Sequence, residues 1–168
     1  MNTEEKKENI LVVDDTPANL QILLRLFRDA GYRVRAVPDG EKALKAVESE
    51  VPDIILLDIN MPGMDGYEVC RQLKNREQFR SIPIIFISAL SETFDKVKAF
   101  ESGGVDYITK PIQIEEARAR VKTHLALHRY QSQIEEKNQQ LNKAMKELKE
   151  AQSQLVQTEK MASLGVLT

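Results

Sequence analysis

The sequence predicts an α/β protein, a doubly wound five-stranded parallel sheet, followed by a helical coiled-coil extension. Short apolar runs alternate along the chain with segments whose apolar residues recur at helix spacing, the pattern of strands joined by covering helices. Several of those runs are apolar throughout, as befits strands buried on both faces of a parallel sheet. Glycine and proline then stop at Pro111, and neither recurs before Gly165. A straight helix over that interval would run about 80 Å, longer than any compact domain of this size can hold. The chain therefore reads as a polar tail over residues 1–9, a globular domain over 10–127 and a helical extension over 128–168.

Each element follows from its residues. The candidate strands are Ile10 to Val13, Arg33 to Val37, Asp53 to Leu57, Ile82 to Ile87 and Val105 to Ile108. The second, Arg33-Val34-Arg35-Ala36-Val37, alternates in polarity as an edge strand does. The first helix opens at Thr16, an N-cap type, with Pro17 at the first helical position, and sets Leu20, Leu23, Leu24 and Phe27 on one face. Further helices run from about Glu41 to Glu48, Gly66 to Lys74 and Glu92 to Ser102, and a fifth begins near Ile114.

Composition excludes several classes. With 24 basic and 26 acidic side chains the net charge is −2, so no global attraction draws the chain to nucleic acid or to an anionic membrane. No apolar run approaches the roughly 20 residues needed to span a bilayer. The polar start offers no secretory signal, which leaves the cytoplasm as the expected compartment. A single cysteine, Cys70, rules out an intrachain disulfide and a cysteine-clustered zinc site, and reads as a core residue.

Sites in open α/β sheets form beyond the carboxyl ends of the strands, so the residues that close each strand carry the chemistry. The first strand ends in Asp14 and Asp15, the third in Asp58 and the fourth in Ser88, while the fifth leads through Thr109 into Lys110. Three carboxylates sharing one rim repel one another, and an oxygen-only donor set suits a hard cation such as Mg²⁺. No Gly-rich phosphate loop is present, which argues against a bound nucleotide. A phosphoryl group would then be held by Mg²⁺, Lys110 and Ser88, with a carboxylate as covalent acceptor. Asp58 is the central candidate, followed by the turn-rich stretch Asn60-Met61-Pro62-Gly63-Met64-Asp65-Gly66.

Four separated fragments occur together in order: Leu11-Val12-Val13-Asp14-Asp15, Leu57-Asp58-Ile59-Asn60-Met61-Pro62-Gly63-Met64-Asp65-Gly66, Ile87-Ser88-Ala89 and Tyr107-Ile108-Thr109-Lys110-Pro111. With these the chain resembles the response-regulator receiver domains of two-component signalling, from about residue 9 to 127. The resemblance implies a flavodoxin-like sheet with strand order 2-1-3-4-5. It implies that Asp58 accepts a phosphoryl group from a histidine kinase or phosphotransferase, and that Mg²⁺ is held by Asp14, Asp15, Asp58 and the backbone carbonyl of Asn60. Ser88 and Lys110 would contact the acyl phosphate, Tyr107 would swing inward as Ser88 moves, and Lys110-Pro111 would be a cis peptide. The output surface would span Ser91 to Tyr107.

In the extension Leu127, Ile134, Leu141, Leu148 and Leu155 recur every seven residues, a coiled-coil seam with poor companion positions that suits a homodimer of modest strength. Parallel pairing is expected. The last stretch, Gln157 to Thr168, resembles the lead-in to the phosphoacceptor helix of a histidine kinase dimerisation domain, so the chain is expected to be the N-terminal piece of a longer hybrid regulator and kinase. No contact with nucleic acid or membrane is expected of it.

Two other functions share the same groups. A small α/β phosphohydrolase would use Asp58 as nucleophile, but it needs a lid and a general acid, and Asn60 stands where a second carboxylate would help. A constitutive dimerisation module would keep the seam and ignore phosphorylation. His124 and His128, four apart on a helix, are read as an exposed, solvated pair without chemistry.

Overall fold

The structure, a computed structural model, describes residues 6–89 and 93–166. The chain divides into two units, Met1–His128 and Arg129–Thr168. In the first, five parallel strands, β1 (Asn9–Val13), β2 (Arg33–Val37), β3 (Ile54–Asp58), β4 (Ile84–Ser88) and β5 (Asp106–Thr109), lie in the order β2-β1-β3-β4-β5. The helices are α1 (Pro17–Asp29), α2 (Gly40–Ser49), α3 (Gly66–Lys74), α4 (Thr93–Glu101) and α5 (Ile114–Val166), and a single 3₁₀ turn, Glu77–Phe79, follows α3.

Period-two alternation sorts the inner strands' side chains into two cores, one on each face of the sheet. Leu11, Val13, Ile55, Leu57, Ile84 and Phe86 face α2, α3 and α4, where Val47, Val69, Leu73 and Ala99 meet them. Ile10, Val12, Ile54, Leu56, Ile85 and Ile87 face α1 and the start of α5, against Leu23, Phe27, Val121 and Leu125. With both faces covered, β1, β3 and β4 are buried end to end, which is why their sequences lack alternation. The alternating β2 lies at the edge, where Arg33 pairs with Glu50 and Arg35 donates to the carbonyls of Ala46 and Glu50.

Several local expectations shift by a residue or change character. Strand β4 begins after Pro83 rather than at Ile82, because proline has no N–H to give a ladder. Strands β3 and β5 each run one residue further than expected, so Asp58 and Thr109 belong to the strands. Thr16 occupies the N-cap of α1 with Pro17 next, but its side chain makes no capping bond. Its backbone carbonyl instead accepts from the N–H of Asn19 and Leu20. The stripe that α1 buries is Leu23, Leu26 and Phe27, with Leu20 and Leu24 half-buried. The caps of α2 and α3 are side-chain ones: Asp39 accepts from Lys42 N–H at 2.8 Å and Asp65 from Glu68 N–H at 2.9 Å.

In the second unit every residue from Arg129 to Gly165 is exposed. No helix of the described residues is long and apolar enough to cross a membrane.

Candidate functional site

All five strands run the same way, so their carboxyl ends share one edge of the sheet, and that edge collects the polar groups. Asp14 follows β1 directly, and its N–H still donates to Val37 O at 3.3 Å, continuing the ladder to β2. Asp58 closes β3 opposite Ile87, and Ser88 closes β4 opposite Thr109. Lys110 is held next to them because its N–H donates to Ser88 O at 2.7 Å, and the following bond, Lys110-Pro111, is cis as expected. The chain turns sharply after Asp58. There Gly66, the first residue of α3, donates its N–H to Ile59 O at 2.9 Å, and a Cβ on it would lie 2.3 Å from Asp58 O. Only glycine lets α3 start so close to the carboxylate-bearing strand.

Carboxylate oxygens of Asp14, Asp15 and Asp58 lie within 4.8 Å of one another. Asp14 and Asp58 are buried, at 0% and 1% exposure, whereas Asp15 faces solvent. Asp14 is well supplied with donors: Thr16 N–H reaches Oδ1 at 2.8 Å and Asn19 Nδ2 reaches Oδ2 at 3.2 Å. Asp58 is not. Its Oδ1 accepts a long 3.3 Å bond from Asn60 N–H, while Oδ2 is buried with no hydrogen-bond donor. Lys110 Nζ lies 3.2 Å from that oxygen and 3.5 Å from Asp14 Oδ2, close enough to pair with both carboxylates. Burial pushes the Asp58 carboxyl up to about 6, the Asp14 charge pushes the same way, and Lys110 opposes both. A buried carboxylate oxygen lacking a donor, beside two further carboxylates, is a donor set that fits a hard divalent cation.

The structure thus brings Asp14, Asp15, Asp58, Ser88 and Lys110 to one rim, with the backbone of Asn60 beside them. Tyr107 is placed differently, half-buried on the face of β5 that packs against the core beside α4. Its ring meets Phe100 edge-on with centroids 6.2 Å apart, and it lies beneath Lys96 Nζ at 4.7 Å and the Arg120 guanidinium at 5.7 Å. Of the expected output surface, Ser91 and Glu92, the latter also the expected start of the fourth helix, lie outside the described residues. The seam positions Leu127, Ile134, Leu141, Leu148 and Leu155 take no part in the rim and are all exposed.

Sequence reasoning missed one cluster. His124 is not a solvated histidine: its Nε2 lies 2.9 Å from Asp106 Oδ2, and its side chain is only 15% exposed. Arg120 Nη1 donates to both Asp106 oxygens, at 2.7 and 2.9 Å, and Arg120 Nε donates to Glu116 at 3.0 Å. Burial pushes the Asp106 carboxyl up, but His124, Arg120 and the N–H of Tyr107 outweigh it and hold it below the usual range. The cluster ties β5 to the first turns of α5. Spacing alone could have found Glu116, Arg120 and His124 on one helix stripe, four residues apart, but not their common partner on a strand. Cys70 is the buried core residue expected, its thiol pushed up to about 11 by burial.

Comparison with known proteins agrees with this architecture. The family model "Response regulator receiver domain" matches residues 10–122. The alkaline phosphatase synthesis transcriptional regulatory protein PhoP of Bacillus subtilis is 46% identical over 118 residues, covering 70% of this chain and 48% of its own length. The chain therefore spans about half of that relative. The signal receiver domain of a signal transduction histidine kinase from Syntrophus aciditrophicus superimposes with a TM-score of 0.66 at 36% identity, covering 71% of this chain and 90% of that one. The receiver domain of a sensor histidine kinase from Pseudomonas aeruginosa, with a magnesium ion coordinated in its active-site cleft, gives a TM-score of 0.67 at 32% identity over 71% of this chain and 98% of that one. With the sheet order, the acidic rim and the family model in agreement, the chain belongs to the response regulator receiver family.

Proposed function

We propose that this chain is a phosphorylation switch in which Asp58 accepts a phosphoryl group from the phosphohistidine of a histidine kinase or phosphotransferase. The observation that carries the reading is the Asp58 carboxylate itself, buried beside Lys110 and two acidic neighbours with one oxygen lacking a hydrogen-bond donor. That oxygen keeps its lone pairs available, and a carboxyl raised to about 6 is still mostly ionised at neutral pH. In the transfer a new bond forms between the Asp58 oxygen and phosphorus. The phosphorus–nitrogen bond to the donor histidine breaks, and its electron pair returns to the imidazole. Lys110 sets its ammonium against the charge that develops on the phosphoryl oxygens, and the Ser88 hydroxyl donates to one of them. Mg²⁺, which Asp14, Asp15, Asp58 and the Asn60 carbonyl would hold, supplies further positive charge there.

The added group carries more negative charge and more acceptor oxygens than the carboxylate it replaces, so it draws Ser88 and Lys110 inward. Tyr107 then moves from its place against Phe100, and the surface formed by α4 and β5 changes. That state passes through α5 to a homodimeric stalk, and the kinase-like ending Gln157 to Thr168 supports a histidine kinase as the module beyond. The likeness to receiver domains drawn from histidine kinases is compatible with that context. Nothing in the near-neutral charge favours nucleic acid as a partner of these residues.

The test is a native mass spectrum of the chain and its Asp58→Asn variant, each incubated with Mg²⁺ and acetyl phosphate. One phosphoryl group per chain, absent from the variant, is the expected result. Uptake that persists in Asp58→Asn would refute the assignment. Turnover of an external phosphate ester without a stable adduct would point to the phosphohydrolase instead.

A further inference from the structure

Asp14 is fully buried, and each of its oxygens has a donor: Thr16 N–H meets Oδ1 at 2.8 Å and Asn19 Nδ2 meets Oδ2 at 3.2 Å. An ionised carboxylate only accepts, so the Asn19 amide presents its NH₂ to it. The Lys110 ammonium stands between two buried carboxylates, 3.5 Å from the same Asp14 Oδ2 and 3.2 Å from Asp58 Oδ2. The first of these oxygens has another donor and the second has none. Resting on the proposed phosphoryl transfer to Asp58, we infer that Asn19 is a positioning residue: its amide satisfies Asp14 and so leaves the Lys110 ammonium to Asp58.

The start of α1 puts Asn19 there. Pro17 opens the helix, and Asn19 follows two residues later in the first turn. The backbone of that turn is tied without the Asn19 side chain, since Asn19 N–H and Leu20 N–H donate to Thr16 O and Thr16 N–H donates to Asp14. The amide therefore caps no backbone group of the helix. What it satisfies is the carboxylate.

Charge explains why an amide suits this place. It meets the need of a buried oxygen for a donor without adding positive charge, so the negative potential of Asp14, Asp15 and Asp58 stays available to a divalent cation. Without Asn19, the donor left to Asp14 Oδ2 among its described contacts is Lys110 Nζ, 3.5 Å away. A buried oxygen short of a donor is costly enough to draw that ammonium across. Lys110 would then compete with a cation at Asp14 and stand off from the phosphoryl oxygens at Asp58.

The test is a double-mutant cycle on the full chain, combining Asn19→Ala with Lys110→Met. Calorimetry gives the Mg²⁺ affinity, and mass spectrometry gives the rate of phosphoryl uptake from acetyl phosphate at saturating Mg²⁺. Where Lys110 is present, Asn19→Ala is expected to weaken Mg²⁺ binding and to slow uptake by about tenfold each, the scale of one hydrogen bond to a charged group. In the Lys110→Met chain the same substitution is expected to change neither. Equal losses in both backgrounds would show that Asn19 does not act through Lys110 and would overturn the inference, as would no loss in either. A crystal structure of Asn19→Ala supplies a readout independent of activity and of the second substitution. The two Lys110 distances are expected to exchange order, with Nζ nearer Asp14 Oδ2 than Asp58 Oδ2, and an unchanged order overturns the inference. A parent chain that binds Mg²⁺ but takes up no phosphoryl group refutes the acceptor reading instead, and there the Mg²⁺ affinities and the placement of Lys110 still decide the role of Asn19.

Discussion

Asp58 is buried next to Asp14 with one oxygen lacking a hydrogen-bond donor, an arrangement that costs folding free energy. Because its folded value of about 6 lies above the ordinary 3.8, the native state binds this proton more tightly than the unfolded chain does. Its contribution to stability is therefore complete below pH 3.8 and lost as pH rises through about 6. Asp58→Asn should accordingly raise the melting temperature in the presence of a chelator at about pH 7 to 8, by the equivalent of about 2 kcal/mol, and give no gain below about pH 4. Thermal melts of the two chains across pH check this. Added Mg²⁺ should stabilise the parent chain and leave the variant nearly unmoved. Gly66 makes a second residue-level case. Gly66→Ala forces a Cβ to within 2.3 Å of the backbone oxygen of Asp58, so a loss of about 2 kcal/mol or more is expected, together with slower uptake at the proposed acceptor, measured by denaturant titration and by mass spectrometry. Asp58 was legible in the sequence because it ends an apolar run. The role of Gly66 was not, because its close approach is to a residue on the far side of a turn.

Among the elements, β5 and α5 are coupled more firmly than their apolar contacts require. Asp106 on the strand holds Arg120 and His124 on the helix, and Arg120 also lies over Tyr107. Any rearrangement of β5 on the proposed phosphorylation has a direct polar route to the first turns of α5. Asp106→Ala removes the common partner and leaves two donors short of acceptors. It should loosen the first turns of α5, seen as faster amide exchange over residues 114–128, and lower stability by about 1 to 3 kcal/mol. The carboxyl of Asp106 is held below its ordinary value, so the sign is opposite to that of Asp58. Its stabilisation is present above pH 3.8 and is lost as pH falls further towards the folded value. Acid melts of the parent and Asp106→Asn chains should therefore converge at low pH. The paired state of His124 was hidden from the sequence, where an i, i+4 histidine pair on a polar helix looks solvated. The strand partner is 18 residues away and enters only when the helix docks.

At the scale of the whole molecule, the two units rest on different physics. Met1–His128 carries two hydrophobic cores, one on each face of its sheet, whereas in Arg129–Thr168 the helix has no core of its own among the described residues. A chain ended at His128 should keep the proposed phosphoryl uptake and a melting temperature within a few degrees of the full chain's, and should lack the dimerisation proposed for the stalk. Mass spectrometry, thermal melts and sedimentation of the shortened chain test the three parts of that expectation separately.

The sequence by itself determined the fold class, the edge position of β2 and the set of strand-end residues that meet at the acidic rim. The edge strand and the rim follow from short-range rules: apolar alternation, and the fact that parallel strands present their carboxyl ends together. The cis bond came with the family resemblance. Tertiary structure alone decided which carboxylate is starved of donors, why α3 must begin with glycine, and that a helix histidine and arginine share a strand aspartate. Each of those depends on distances between residues remote in the chain, and burial and hydrogen-bond competition at such contacts are set by packing rather than by local pattern.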